Sequence, residues 1–223
     1  TIIAKKYGKD ATAVGDEGGF APPIKDARES LKVLTKAIDT NGYTGKIAFA
    51  MDPASSEFYN KDGTYLTSKW SRSKLATYYG KLANDYPLIS LEDPFEQDDF
   101  EAWKSFTKKY GCDFQIVGDD LTVTNPTRVQ LAIDETLCNS LLLKINQIGT
   151  LTESFAAATL AMNAGWTVMV SHRSGETRAR WSSGSITGNA TRPPRRSAAT
   201  ASKIFRTTAV RCARPTPRPA SPS

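Results

Sequence analysis

Five short, nearly unbroken apolar runs punctuate the chain: KIAFAMD (46–52), YPLISLED (86–93), DFQIVGDD (113–120), SLLLKIN (140–146) and WTVMVSH (166–172). Their length, β-branched content and lack of strict alternation predict strands buried on both faces, as in a parallel sheet. A sixth run, ATAVGDEGG (11–19), carries a weaker version of the same pattern. Between the runs the period changes. DARESLKVLTKAID (26–39) sets Ala27, Leu31, Leu34 and Ile38 on one face, which predicts an amphipathic helix. The segment 125–137 opens with Asn125 as an N-cap and Pro126 at the first helical position. Residues 150–164 are alanine-rich and end before Gly165, a C-terminal stop. Helices are also expected over 70–84 and 98–110.

Strand and helix thus alternate, which predicts a parallel α/β architecture. Each apolar run ends in a chemically capable residue. From Asp52, the residues Glu92, Asp119, Lys144 and His172 follow at steps of 40, 27, 25 and 28. An eight-unit βα barrel of about 250 residues averages roughly 31 residues per unit, with its reactive side chains at the carboxyl ends of the strands. A doubly wound open sheet is the alternative, although the Gly-rich phosphate turn expected of it is missing.

Charge divides the chain in two. Residues 178–223 hold nine Arg, one Lys and six Pro with no Asp or Glu, while the preceding 177 residues carry a net charge of −4. The overall net charge of +6 therefore comes from the tail and is no nucleic-acid footprint of the whole. Composition makes 178–223 an Arg/Pro/Ser-rich tail, expected to be disordered or an out-of-frame translation, and 1–177 the folded part. No run approaches the roughly 20 apolar residues of a membrane span. The three cysteines form no CxxC pair, so no zinc-site pattern is present.

Asp52, Glu92 and Asp119 could supply oxygen ligands to a magnesium ion from three separate strands. The competing reading is that they are polar strand ends on a solvated rim, a reading helped by the adjacent Asp93 and Asp120. Lys144, inside LLLKIN, suits a general base whose pKa is depressed by burial and nearby cations. Alternatively, it is a lysine snorkelling at a strand end. His172 lies in SHRSGET (171–177) beside Arg173 and Ser174, a grouping suited to gripping a phosphate or carboxylate. In GDEGGFAPP (15–23), Asp16 and Glu17 precede paired glycines that allow close backbone approach to a ligand, or simply make a turn.

Together the stretches GDEGGFAP (15–22), AMDPASSEFY (50–59), SLEDPFEQDD (90–99), GDDLTVTNP (118–126), LLLKINQIGTLTES (141–154) and SHRSGET (171–177) resemble the enolase family in order and spacing. The resemblance covers essentially all of 1–177. It implies an α/β fold, a (β/α)8-type barrel that is incomplete and spans about strands two to seven. It also implies magnesium-dependent dehydration of 2-phosphoglycerate to phosphoenolpyruvate in glycolysis, in the cytoplasm. By the same resemblance, Asp52, Glu92 and Asp119 are Mg2+ ligands and Lys144 is the base. Glu17 is an acid assisting loss of hydroxide, and Ser171, His172, Arg173 and Ser174 bind the substrate. The expected partners are a small phosphorylated substrate and, in intact family members, a second copy, with no nucleic acid and no membrane.

The family pattern breaks off after SHRSGET, where Arg178 stands in place of further acids. An amino-terminal domain, the first barrel strand and the last are also missing from the pattern. The chain by itself is therefore expected to be inactive. The rival readings are a non-catalytic binding or scaffold fragment, and another lyase or racemase of the enolase superfamily.

Overall fold

The five apolar runs become the five strands of one sheet in the computed structural model, which describes residues 1–15 and 18–172. These are β1 (Phe49–Met51), β2 (Leu88–Glu92), β3 (Gln115–Gly118), β4 (Ser140–Leu143) and β5 (Thr167–Val170). Each strand pairs in parallel with the next, so order in the sheet equals order in the chain. The helices are α1 (Ile2–Tyr7), α2 (Ala27–Thr40), α3 (Arg72–Asp85), α4 (Phe100–Tyr110), α5 (Pro126–Asp134), α6 (Ile145–Ile148) and α7 (Leu151–Asn163). A doubly wound sheet reverses its strand order at a switch point. No reversal occurs among the described residues. Right-handed crossovers that always step the same way put their helices on one face, the construction of a barrel wall.

Short polar side chains start the helices. Asp26, Ser71, Asp99, Asn125 and Thr150 each accept a backbone N–H of the first turn of α2, α3, α4, α5 and α7 respectively. Each cap satisfies an amide that the helix itself leaves unpaired. Pro126 occupies the first turn of α5 as expected, and Gly165, at φ 80°, follows α7. On α2, Leu31 is buried, whereas Leu34 of the same predicted face is 50% exposed.

The core lies between sheet and helices. Phe95 stands edge-on to Tyr65, Tyr79, Trp103 and Phe106, with ring centroids 5.4–6.3 Å apart. Beneath α7 a second cluster forms, in which Ala157, Ala158 and Ala161 pack with Leu141, Leu143 and Val129. Asn139, just before β4, ties the wall together. Its Oδ1 accepts Ile116 N at 2.7 Å, and its Nδ2 donates to Gly111 O and Phe114 O at 2.9 and 3.2 Å. A second tie runs from strand to strand. Ser90 Oγ donates to Gln115 Oε1 at 2.8 Å, and Gln115 Nε2 donates to Ser140 Oγ and Thr167 Oγ1 at 3.1 and 2.7 Å.

The sixth run departs from expectation. Lys9–Thr12 forms a 3-10 turn, and Val14 meets Phe20 in a lone antiparallel bridge closed by Gly15 N donating to Gly19 O at 2.9 Å. Val14 and Phe20 are 57% and 61% exposed, so no buried face exists to hold a strand there. Among the described residues, no helix is long and apolar enough to cross a membrane.

Candidate active site

Because every strand runs the same way, the residues ending them share one rim. Glu92 is the last residue of β2; Asp52, Asp119 and Lys144 directly follow β1, β3 and β4; Ser171 and His172 follow β5. Glu92 and Asp119 are buried, Lys144 is partly buried, and Asp52 is the most open of the four.

Lys144 donates from Nζ to Asp119 Oδ2, an ion pair between side chains only 16% and 10% exposed. The charge beside this lysine is thus a carboxylate, whereas nearby cations were expected. Gln147 Nε2 donates to the other oxygen, Asp119 Oδ1, at 2.7 Å. Thr124 fixes that arrangement: its hydroxyl donates to Gln147 Oε1 at 2.9 Å and accepts Lys144 N at 2.9 Å.

On the other side, the Glu92 side chain lies close enough to the Asp52 carboxyl to act on it. Asp52 Oδ1 accepts Ala54 N at 2.9 Å. Burial pushes the Asp52 carboxyl above its ordinary value, and the Asp119 charge pushes it further. The Ala54 amide, Glu92 and Lys144 pull it back. Asp120 is likewise raised, by burial and then by Asp119.

Asp93 and Asp120, set aside in the sequence as rim acids, come within 4.8 Å of Asp119, near enough for the three to hold a metal ion. Asp93 is differently employed, however. Its Oδ1 and Oδ2 accept Asp119 N and Asp120 N, both at 2.9 Å. Burial still pushes its carboxyl well above the ordinary value, against the pull of those two amides. Each oxygen of Asp93 thus already accepts a backbone amide of the Asp119–Asp120 turn.

Asp52, Glu92, Asp119 and Lys144 are therefore brought together. Ser171 continues the pairing of β5 with β4, donating N–H to Leu143 O at 3.0 Å, and its hydroxyl donates to His172 O at 3.0 Å. Glu17, Arg173 and Ser174 lie outside the described residues. The sequence reading missed Gln147 and Thr124. For Gln147 a signal existed: it stands three residues after Lys144, one helical turn on. An all-oxygen carboxylate set with a surplus of negative charge fits a hard divalent cation.

A parallel wall whose carboxyl rim gathers acids around a lysine defines a domain of the (β/α)-barrel class. Residues 1–191 match the family profile described as "Enolase, C-terminal TIM barrel domain". The chain belongs to the enolase family. It is 52% identical over 186 residues to "Enolase" of Solanum lycopersicum, covering 79% of this chain and 42% of that protein. It is 52% identical to "Enolase 2" of Hevea brasiliensis over 187 residues, and to "Enolase 1" of Entamoeba histolytica over 193. The chain spans 42–43% of the length of these curated relatives.

Proposed function

We propose that this chain carries the metal- and base-bearing rim of a phosphopyruvate hydratase, which dehydrates 2-phosphoglycerate to phosphoenolpyruvate. The observation that carries this reading is the Lys144–Asp119 pair set among the Asp52 and Glu92 carboxylates. Asp52, Glu92 and Asp119 would hold Mg2+, which when bound stabilises the extra negative charge that builds on the substrate carboxylate. Lys144 takes the proton from carbon 2 as its neutral amine. The ammonium that Asp119 holds must therefore first release a proton to solvent, a step that a cation drawing on the Asp119 carboxylate would favour. The lysine's partly buried position, braced by Asp119, aims Nζ at one place and keeps bulk water from most of it. Glu17 assists departure of the carbon-3 hydroxyl, and Ser171, His172, Arg173 and Ser174 grip the phosphorylated substrate. For the intact protein this reading carries a homodimer in the cytoplasm, without nucleic acid or membrane as partners.

Among the described residues, β1 and β5 each pair on one side only, so these residues do not close a barrel. The 223-residue chain alone is therefore expected to turn over little or no substrate. The tail from 178 we assign to out-of-frame translation, because acids vanish at that point. A clean in-frame transcript across codons 170–185 would remove that assignment.

The test of function uses the protein extended to the length of its relatives, incubated with 2-phosphoglycerate and Mg2+, with the enol phosphate product followed by ultraviolet absorbance. Magnesium-dependent product formation supports the reading. Its absence in a folded, extended protein overturns it.

A further inference from the structure

Asp93 links the rim loops through both its backbone and its side chain. It is 3% exposed and sits at φ 42°, a left-handed conformation that Asp tolerates better than most residues. Its N–H donates to Val117 O of β3 at 3.0 Å, and its carbonyl accepts Ser55 N, from the loop after β1, at 3.2 Å. Its two carboxylate oxygens take the amides of Asp119 and Asp120 at 2.9 Å each. One residue thus touches the loop that begins with Asp52, adjoins Glu92 in the chain, and holds the backbone of Asp119. Ser55 strengthens the same junction. It is fully buried, donates from Oγ to Pro94 O at 2.9 Å and lies 3.1 Å from the Tyr79 hydroxyl.

We propose that Asp93 is the positioning residue of this site, a brace that sets the backbone of all three cation-binding loops and contributes no oxygen to the cation. The proposal rests on the reading of Asp52, Glu92 and Asp119 as the cation's ligands. A carboxylate is required because two amides converge on it. Asparagine offers one acceptor oxygen and turns an NH2 donor toward the second amide. Removing an outer partner of this kind typically costs 10–100-fold in metal affinity.

The experiment compares the full chain with Asp93→Asn and with a control, Asp99→Asn. Asp99 is also a buried acid, accepting the Tyr65 hydroxyl at 2.7 Å and capping α4, but it holds no ligand-bearing loop. Two quantities are read: Mn2+ affinity, by paramagnetic resonance titration, and amide hydrogen exchange at Asp119 and Asp120. Asp93→Asn is expected to weaken Mn2+ binding about 10–100-fold and to speed exchange at one or both amides. The control is expected to lower the urea midpoint while leaving both readings unchanged. Unaltered affinity and exchange in Asp93→Asn overturn the brace. So does rapid exchange of these amides in the unaltered chain, a reading that needs no variant to fold. If the unaltered chain fails to bind Mn2+ while Asp93→Asn still speeds exchange, the ligand reading falls and the loop brace stands.

Discussion

The Lys144 ammonium rests on the Asp119 carboxylate, linking the end of β4 to the end of β3. A cation that binds through Asp119 must share it with that ammonium. Replacing Lys144 with Ala therefore has two opposite effects. In the extended protein, kcat falls by about 10²–10⁴-fold, the usual contribution of a general base. Divalent-ion affinity rises, because the competing ammonium is gone. Steady-state kinetics and a Mn2+ titration on the same variant check both. An unchanged kcat would remove Lys144 from the chemistry.

Gly80 lies inside α3, where alanine would ordinarily gain about 1 kcal/mol of helix propensity. Here a Cβ would come 2.2 Å from the Tyr110 hydroxyl and 2.7 Å from the ring carbon that bears it. Overpacking of this kind costs about 1–3 kcal/mol, so the clash outweighs the gain. Gly80→Ala is expected to lower the urea midpoint, and to lower it less when introduced into a Tyr110→Ala background than into the unaltered chain. Stabilisation by the single change would mean that the ring is not held against α3.

Asn139 satisfies three backbone groups of the wall with one side chain. Asn139→Ala leaves Ile116 N, Gly111 O and Phe114 O without that partner. A loss of about 1–3 kcal/mol is expected, the cost of stranding polar groups where water reaches them poorly. Chemical denaturation measures it directly, and a change below the error of the extrapolation would sink the assignment.

Glu29 ties α1 to α2. It accepts Lys6 Nζ at 2.9 Å, the Tyr7 hydroxyl at 2.7 Å and Lys25 N at 3.2 Å. The Lys6 and Tyr7 hydrogen bonds, followed by the Lys25 amide, hold its carboxyl down from the ordinary 4.5 to about 2. A carboxyl depressed in the folded state stabilises fully above the unfolded value. That contribution is lost as pH falls from 4.5 through about 2. Carbon-13 NMR should place the Glu29 midpoint near the lower figure, and Glu29→Gln should speed amide exchange in Ile2–Tyr7 at neutral pH. A midpoint in the ordinary carboxylate range would mean that α1 is not held there.

The strands were legible because burial on both faces writes itself as continuous apolarity, and the run LLLKIN shows where that apolarity stops for Lys144. The cap at Asn125 followed by Pro126 was equally plain. The weak run at 11–19 misled because β-branched and apolar residues there have no layer to pack against, which is a tertiary fact. The short helix Ile2–Tyr7 was missed for the same reason: it has no buried residue and hence no apolar stripe. Asp93 was misread because a carboxylate beside Glu92 looks the same in sequence whether it faces solvent or holds two amides. Only the φ of 42° and the approach of β3 separate the cases.

The sheet order β1-β2-β3-β4-β5 governs how the wall can be made during synthesis. Each strand docks on the one translated just before it, so no strand has to wait for a distant partner. A ribosome adding about 5–20 residues per second gives each βα unit a second or more to settle before the next strand emerges. Contacts between near neighbours also keep the loop-closure cost of every step low. Growth is therefore vectorial, with the newest strand forming one open edge and β1 the other. A stalled or shortened nascent chain would then present its newest strand unpaired on the side nearer the ribosome, a place where a chaperone, or another nascent chain, would bind.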